Sequence, residues 1–324
     1  MKDLKPNSKV KIKTSRKEYE GTVMPRTELS DEEHIVLKLK SGYNVGILKD
    51  EILDVENLGK TEKKEKKKKT KKDFKKSNPN ISIVSTGGTI TSEVDYETGG
   101  VSPFKSPKEL LATVPELADF VNIKHIHTPF RLLSEDMTGN EWGKIAKMVY
   151  KDLKESGLKG VVVTHGTDTL HFTSAALSFM IQNLNKPVAV VGAQRSIDRG
   201  SFDGAMNLIC SAQYCLSDIA EVSIVMHGST DDEYCLVNRG TKVRKMSTSR
   251  RDAFRPINDS PLAKVWQDGN IIIENSDHNK RSKSKPKLDT KFEEKVGLLH
   301  HYPGSDPKAL DFFVDEGYKG VILA

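Results

Sequence analysis

Ile81-Ser82-Ile83-Val84-Ser85-Thr86-Gly87-Gly88-Thr89-Ile90 and Gly160-Val161-Val162-Val163-Thr164-His165-Gly166-Thr167-Asp168-Thr169 are built alike. Each is a short apolar run rich in β-branched residues that ends in a glycine turn and a threonine. Val188-Ala189-Val190-Val191 and Val222-Ser223-Ile224-Val225 repeat the apolar half of the pattern. Runs of this length without polar alternation suit strands covered on both faces. Helical patterns lie between them. The clearest has Thr138 as N-cap and Glu141 three residues on, a capping box, followed by an apolar face of Trp142, Ile145, Ala146, Val149 and Leu153, with Gly157 available to end it. Strand–helix alternation predicts an α/β fold with a doubly wound parallel sheet. In such sheets ligands bind beyond the carboxyl ends of the strands, where both threonine loops fall.

Outside this pattern the chain changes character. Residues 1–56 carry short strand-like clusters around Val10, Val23, Leu37 and Ile47, broken by Pro25, the Ser30–Glu33 stretch and Ser41-Gly42. This predicts a small N-terminal β-barrel of the SH3-like kind. Residues 57–79 are predicted to be a Lys-rich linker. Between Lys60 and Lys76, eleven lysines face only Glu62, Glu65 and Asp73, a local charge of +8 in a chain whose total is +6. The rest therefore carries −2, so the basicity belongs to one self-repelling tether able to attract RNA phosphates only without sequence preference. Residues 80–270 form the predicted large α/β domain. Residues 271–324 read as the start of a smaller C-terminal α/β domain, with strands at Val296–Leu299 and Gly320–Leu323 and a helix over Pro307–Glu316. A last strand without a helix to cover it predicts that this domain is truncated.

Composition excludes several classes. At 324 residues, 36% hydrophobic and 30% charged, the chain has material for two or three packed units. No apolar run reaches the roughly 18–20 residues of a membrane helix. Three cysteines, Cys210, Cys215 and Cys235, fit neither a zinc pattern nor a disulfide framework, which predicts reduced thiols in the cytoplasm.

The chemistry suggested by the loops is that of a hydroxyl nucleophile. No Gly-Lys-Ser/Thr follows the glycines of either loop, so neither is a phosphate loop. Thr89 is the candidate nucleophile; the alternative is a cap on a tight turn. Gly87 and Gly88 permit close approach of a substrate to backbone amides. Tyr96 is placed to lie on a lid, or else simply packs. His165 invites a serine-hydrolase triad, but the chain has no nucleophile elbow. Thr167 and Asp168 instead suit an acid–base chain completed by a lysine, for which Lys245 is the candidate provided it is buried. His125 and His127 flank Ile126 and share a strand face, without a third metal ligand nearby.

Together these motifs resemble the asparaginase/glutaminase family of threonine amidohydrolases over residues 80–324. The resemblance implies that Thr89 is the nucleophile, Tyr96 its assistant, and Thr167, Asp168 and Lys245 the remaining catalytic set. It further implies that Ser134 and Glu135 bind the substrate's α-carboxylate and α-amino groups, with Asp168 as a second anchor, and that the site needs no metal. Several segments are similar more narrowly to the D-type subunits of archaeal glutamyl-tRNA(Gln) amidotransferases. They are Met226-His227-Gly228 through Arg239-Gly240, Lys242–Met246, Thr248–Phe254, His171–Met180 and Arg195–Arg199. That resemblance implies release of ammonia from glutamine or asparagine. It also implies a homodimer within a heterotetramer, an E-type partner subunit that uses ATP and Mg2+ (no cofactor being needed in this chain), and tRNA(Gln) bound through the complex. A stand-alone cytoplasmic L-asparaginase is the alternative, against which the N-terminal β unit weighs. A non-catalytic RNA-binding scaffold is a third reading, against which the full catalytic set weighs.

Overall fold

The computed structural model describes residues 4–6, 8–15, 17–24, 33–39, 44–60, 77–88, 90, 92–94, 101–103, 114–195 and 202–324. Thr89, Tyr96 and residues 61–76 lie outside them.

The N-terminal sheet is antiparallel. It consists of β1 (Ser8–Thr14), β2 (Glu18–Val23), β3 (His34–Leu39), β4 (Asn44–Leu48) and β5 (Ile52–Lys60), in the order β4-β3-β2-β1-β5. Strict alternation in β1 explains the pairing: Ser8, Val10, Ile12 and Thr14 face inward while Lys9 and Lys11 face out toward Glu20 and Glu18 on β2. Val10, Ile12, Val23, Leu37 and Ile47 form the core of this unit. β5 runs four residues beyond residue 56, because its register against β1 shifts and carries the pairing on to Ser8 and Lys60.

The next elements run in chain order. β6 (Asn80–Ser85) is followed by a β7 (Ser92–Val94) and β8 (Val101–Pro103) hairpin, then β9 (Asn122–His127) and α1 (Gly139–Leu153). β10 (Leu158–Thr164), α2 (Leu170–Met180), β11 (Ile181–Gln182), β12 (Val188–Val191), α3 (Gly204–Tyr214) and β13 (Val222–His227) continue the alternation. β14 (Cys235–Arg239), β15 (Val243–Lys245), β16 (Phe254–Pro256), β17 (Ala263–Val265), β18 (Ile271–Ile273) and β19 (Lys287–Leu288) follow. A small β–α–β unit comes last: β20 (Val296–Leu299), α4 (Ala309–Asp315) and β21 (Gly320–Leu323), its two strands parallel.

Among the described residues, eight strands form the large sheet, in the order β18-β17-β14-β13-β12-β10-β6-β9. β6, β10, β12 and β13 are parallel, as the apolar runs predict, and β9, whose sequence alternates rather than running apolar, joins them in parallel at the edge. β14, β17 and β18 extend the sheet antiparallel; short connections join β13 to β14 and β17 to β18, and the β15–β16 pair lies between β14 and β17. The expected division near residue 270 falls inside the β17–β18 hairpin, and β19 still pairs with β11. From β6 the chain crosses to β9 on one side; from β10 it crosses to β12 on the other. The sheet's switch point therefore lies between β6 and β10, directly before the two threonine loops.

α1 starts with the expected capping box. Thr138 Oγ1 accepts Asn140 N–H, and Glu141 accepts the Thr138 hydroxyl at 2.6 Å and its N–H at 3.2 Å. These bonds hold the Glu141 carboxyl down at about 2. The helix ends at Leu153, before Gly157. Its last carbonyl, Leu153 O, accepts from Lys186 Nζ at 2.8 Å, and the same Nζ donates to Glu155 O just past the helix at 2.5 Å. The three cysteines are buried free thiols, and burial pushes Cys215 up to about 12.

Candidate active site

The site is assembled from loops that leave the carboxyl ends of the parallel strands. After β6, the Thr86 hydroxyl and N–H both donate to Thr164 O, at 2.9 and 3.2 Å, and so tie the first loop to the end of β10. Gly87 and Gly88 have φ of +114° and +85°. A Cβ on Gly87 would lie 2.7 Å from Leu132 O, and one on Gly88 would lie 2.4 Å from Gly166 N. Gly166 in turn faces Ser134, whose Cβ would stand 2.9 Å from an added methyl. The loops after β6, β9 and β10 touch closely, and only glycine permits the approach.

Thr167, Asp168 and Lys245 are brought together. Lys245 Nζ lies 2.9 Å from Thr167 Oγ1 and 2.8 Å from Asp168 Oδ1. The Lys245 side chain is 8% exposed and Thr167 7%, whereas Asp168 is 62% open to solvent. Pairing of β15 with β16 sets Lys245 opposite the fully buried Phe254, and Met246 N–H donates to Ala253 O at 2.7 Å. The lysine is thus delivered on a strand, not on a solvated face.

Ser134 and Glu135 sit beside this group. Ser134 O accepts the Thr169 hydroxyl at 2.6 Å, and Ser134 Oγ donates to Glu135 Oε2 at 3.1 Å. Ser134 is buried and Glu135 exposed. Thr89 follows Gly88 directly in the chain, and it and Tyr96 lie outside the described residues.

His165 takes no part in a triad. It is fully buried; its Nδ1 donates to Gly166 O at 2.7 Å, and its Nε2 accepts the Thr173 hydroxyl at 2.8 Å. Thr173 in turn accepts Trp142 Nε1–H at 2.9 Å. Burial drives the imidazole down to about 4, against the weaker upward pull of its Gly166 hydrogen bond, so the ring is neutral and structural. His171, half-buried at the start of α2, is also lowered, by burial and then by the Arg244 and Lys245 charges. His125 and His127 face Glu155 at 2.7 Å and Asp152 at 3.1 Å. Among the described residues no three His, Cys, Asp or Glu side chains converge as a metal would require.

Gln194 joins the group without having been marked by any motif. It follows β12, and its Oε1 accepts the Thr167 hydroxyl at 3.1 Å. Buried Asp203 accepts the N–H groups of Gln194 and Arg195 at 3.1 and 2.9 Å and holds the turn. The available signal was its place in Gly192-Ala193-Gln194-Arg195, at the end of a third parallel strand.

Comparison with known proteins agrees with this architecture. Residues 80–278 match the family model described as Asparaginase, N-terminal, and residues 4–58 match the GatD N-terminal domain. The D-type subunit of glutamyl-tRNA(Gln) amidotransferase from Pyrococcus furiosus is 51% identical over 316 residues, 97% of this chain and 72% of that protein. The subunit of the same name from Methanothermobacter thermautotrophicus is 44% identical over 94% of this chain and 69% of its own length. Among solved structures, the thermostable L-asparaginase of Thermococcus kodakarensis superposes with a TM-score of 0.66 at 26% identity, covering 75% of this chain and 70% of that one.

Proposed function

Because the chain belongs to the family of D-type glutamyl-tRNA(Gln) amidotransferase subunits, with an asparaginase-type catalytic unit, we propose that it hydrolyses the side-chain amide of glutamine, or of asparagine, through a threonine acyl-enzyme. The released ammonia passes to an E-type partner subunit, which converts Glu-tRNA(Gln) to Gln-tRNA(Gln) with ATP and Mg2+. Two copies of this chain pair within a cytoplasmic heterotetramer, and tRNA(Gln) binds through the complex.

The observation that carries the reading is Lys245 Nζ bridging Thr167 and Asp168 at the switch point of the sheet, one loop away from Gly88. In the proposed reaction Thr89 Oγ attacks the amide carbon as its proton passes to the Thr167–Lys245 relay, which then returns it to the leaving nitrogen. The C–N bond breaks, ammonia departs with a proton supplied through Thr167 and Lys245, and an ester to Thr89 remains. Water, deprotonated by the same relay, cleaves that ester to release the acid and regenerate the hydroxyl. Backbone amides of the glycine loops stabilise the oxyanion in both steps. Tyr96 assists Thr89. Exposed Asp168 and Glu135 hold the substrate's α-ammonium group, while Ser134 exchanges its Glu135 hydrogen bond for the α-carboxylate.

The match of residues 4–58 to the GatD N-terminal domain favours the amidotransferase over a free asparaginase. Ammonia release from glutamine, measured with and without the partner and Glu-tRNA(Gln), tests the choice. Release that the partner and the aminoacyl-tRNA accelerate supports the proposal. Fast release indifferent to both supports the free hydrolase instead.

A further inference from the structure

A hydroxyl oxygen has four directions: its bond to carbon, one proton and two lone pairs. At Thr167 three are accounted for. Lys245 Nζ donates to it at 2.9 Å, occupying one lone pair, and donates to Asp168 Oδ1 at 2.8 Å. The Thr167 proton therefore points to Gln194 Oε1 at 3.1 Å. The orientation of that amide is not free, because Gln194 Nε2 donates to Arg250 O at 2.9 Å and so turns Oε1, not the amino end, toward Thr167. The backbone of Gln194 is held by Asp203, which also accepts Asn207 Nδ2 at 3.2 Å. The Thr167 methyl is packed where a Cβ on Gly192 would stand, at 2.8 Å, so the threonine cannot easily change rotamer.

We infer that Gln194 is a positioning residue of this site: by accepting the Thr167 hydroxyl hydrogen bond before attack, it makes Thr167 present a lone pair to the reacting group. The inference rests on the reading of Thr167 as part of the proton relay. The group in the fourth direction must then be a donor, which is what the nucleophile hydroxyl and the hydrolytic water are before each attack. Without the amide oxygen, the Thr167 proton can turn into that direction and oppose the donor it should accept. Gln194 acts only through Thr167, so its loss should slow turnover without weakening substrate binding.

The test uses the full chain in complex with its amidotransferase partner, supplied with glutamine and Glu-tRNA(Gln), and compares Gln194→Met, Gln194→Glu and Thr167→Ala. Gln194→Met keeps the length and removes the acceptor; kcat for ammonia release is expected to fall about tenfold with KM changed by less than about twofold. Gln194→Glu keeps an acceptor and loses the Arg250 contact; it is expected to retain kcat within about threefold. Wild-type kcat in Gln194→Met overturns the inference. So do equal losses in the Met and Glu variants, which would make the Arg250 tether the working contact. If Thr167→Ala is inactive while Gln194→Met is normal, only the positioning role falls. If Thr167→Ala itself turns over normally, the relay and this inference fall together.

Discussion

Replacing Gly88 by alanine should separate the loops that build the site, and its cost can be worked from two terms. The first is backbone strain: with φ at +85°, an L-residue at this position costs about 1–2 kcal/mol. The second is the clash. The new Cβ would stand 2.4 Å from Gly166 N, 2.6 Å from Gly166 Cα and 2.7 Å from His165 C. All three are backbone atoms, so no side-chain rotation relieves them, and the two loops must part by about 1 Å to reach ordinary contact. Together the terms should remove about 3 kcal/mol and lower Tm by roughly 5–10 °C. A shift of about 1 Å between nucleophile loop and relay loop should also cost about 100-fold in turnover. Gly304→Ala is the control: its φ is +87°, but nothing lies within 4 Å of the added methyl. It should lose only about 1 kcal/mol and keep full activity. Thermal unfolding and glutamine-dependent ammonia release, run on both variants, decide the matter. Wild-type turnover in Gly88→Ala, or an equal loss in Gly304→Ala, would refute the close-approach argument.

The remaining expectations concern the relay and its neighbours. Lys245→Met should lower kcat about 10²–10⁴-fold while leaving Tm nearly unchanged, since the Asp168 partner is largely exposed and such pairs add about 0–1 kcal/mol; a large Tm loss would make Lys245 structural. His165, held near 4 in the fold against 6.5 when unfolded, is neutral in both states above pH 6.5. Below that the unfolded chain takes up the proton first, so stability should fall as pH drops from 6.5 to about 4, by about 3 kcal/mol in all. Urea unfolding across this range should show a steeper loss for the wild type than for His165→Gln, and parallel profiles would contradict the assignment.

What was legible in the sequence followed from local chemistry. The β-branched runs became parallel strands because burial on both faces leaves no polar alternation to read otherwise, and Thr138 and Glu141 formed their capping box because its partners are three residues apart. What stayed hidden depended on distant contacts. The end of α1 at Leu153 is met by Lys186 from more than thirty residues away, a contact that local sequence around Gly157 could not reveal. The antiparallel edge made by β14, β17 and β18 was missed because its strands are short and the β15–β16 pair separates β14 from β17 in the sequence. Lys245 could be picked from among the chain's many lysines only through family resemblance, its partners being 77 and 78 residues away. Gln194 had no such pointer, and its role rests on Thr167 and Arg250, 27 and 56 residues distant.

If a threonine ester on Thr89 is the source of the ammonia, the reaction cannot survive loss of that hydroxyl. The most direct test is the rate of ammonia release from glutamine by Thr89→Ala, in the complex with partner and Glu-tRNA(Gln), beside wild type. The expected result is a loss on the order of 10⁴-fold or more, as for removal of other covalent nucleophiles, with the fold intact by thermal unfolding. A variant that still releases ammonia within about tenfold of the wild-type rate would contradict the acyl-enzyme.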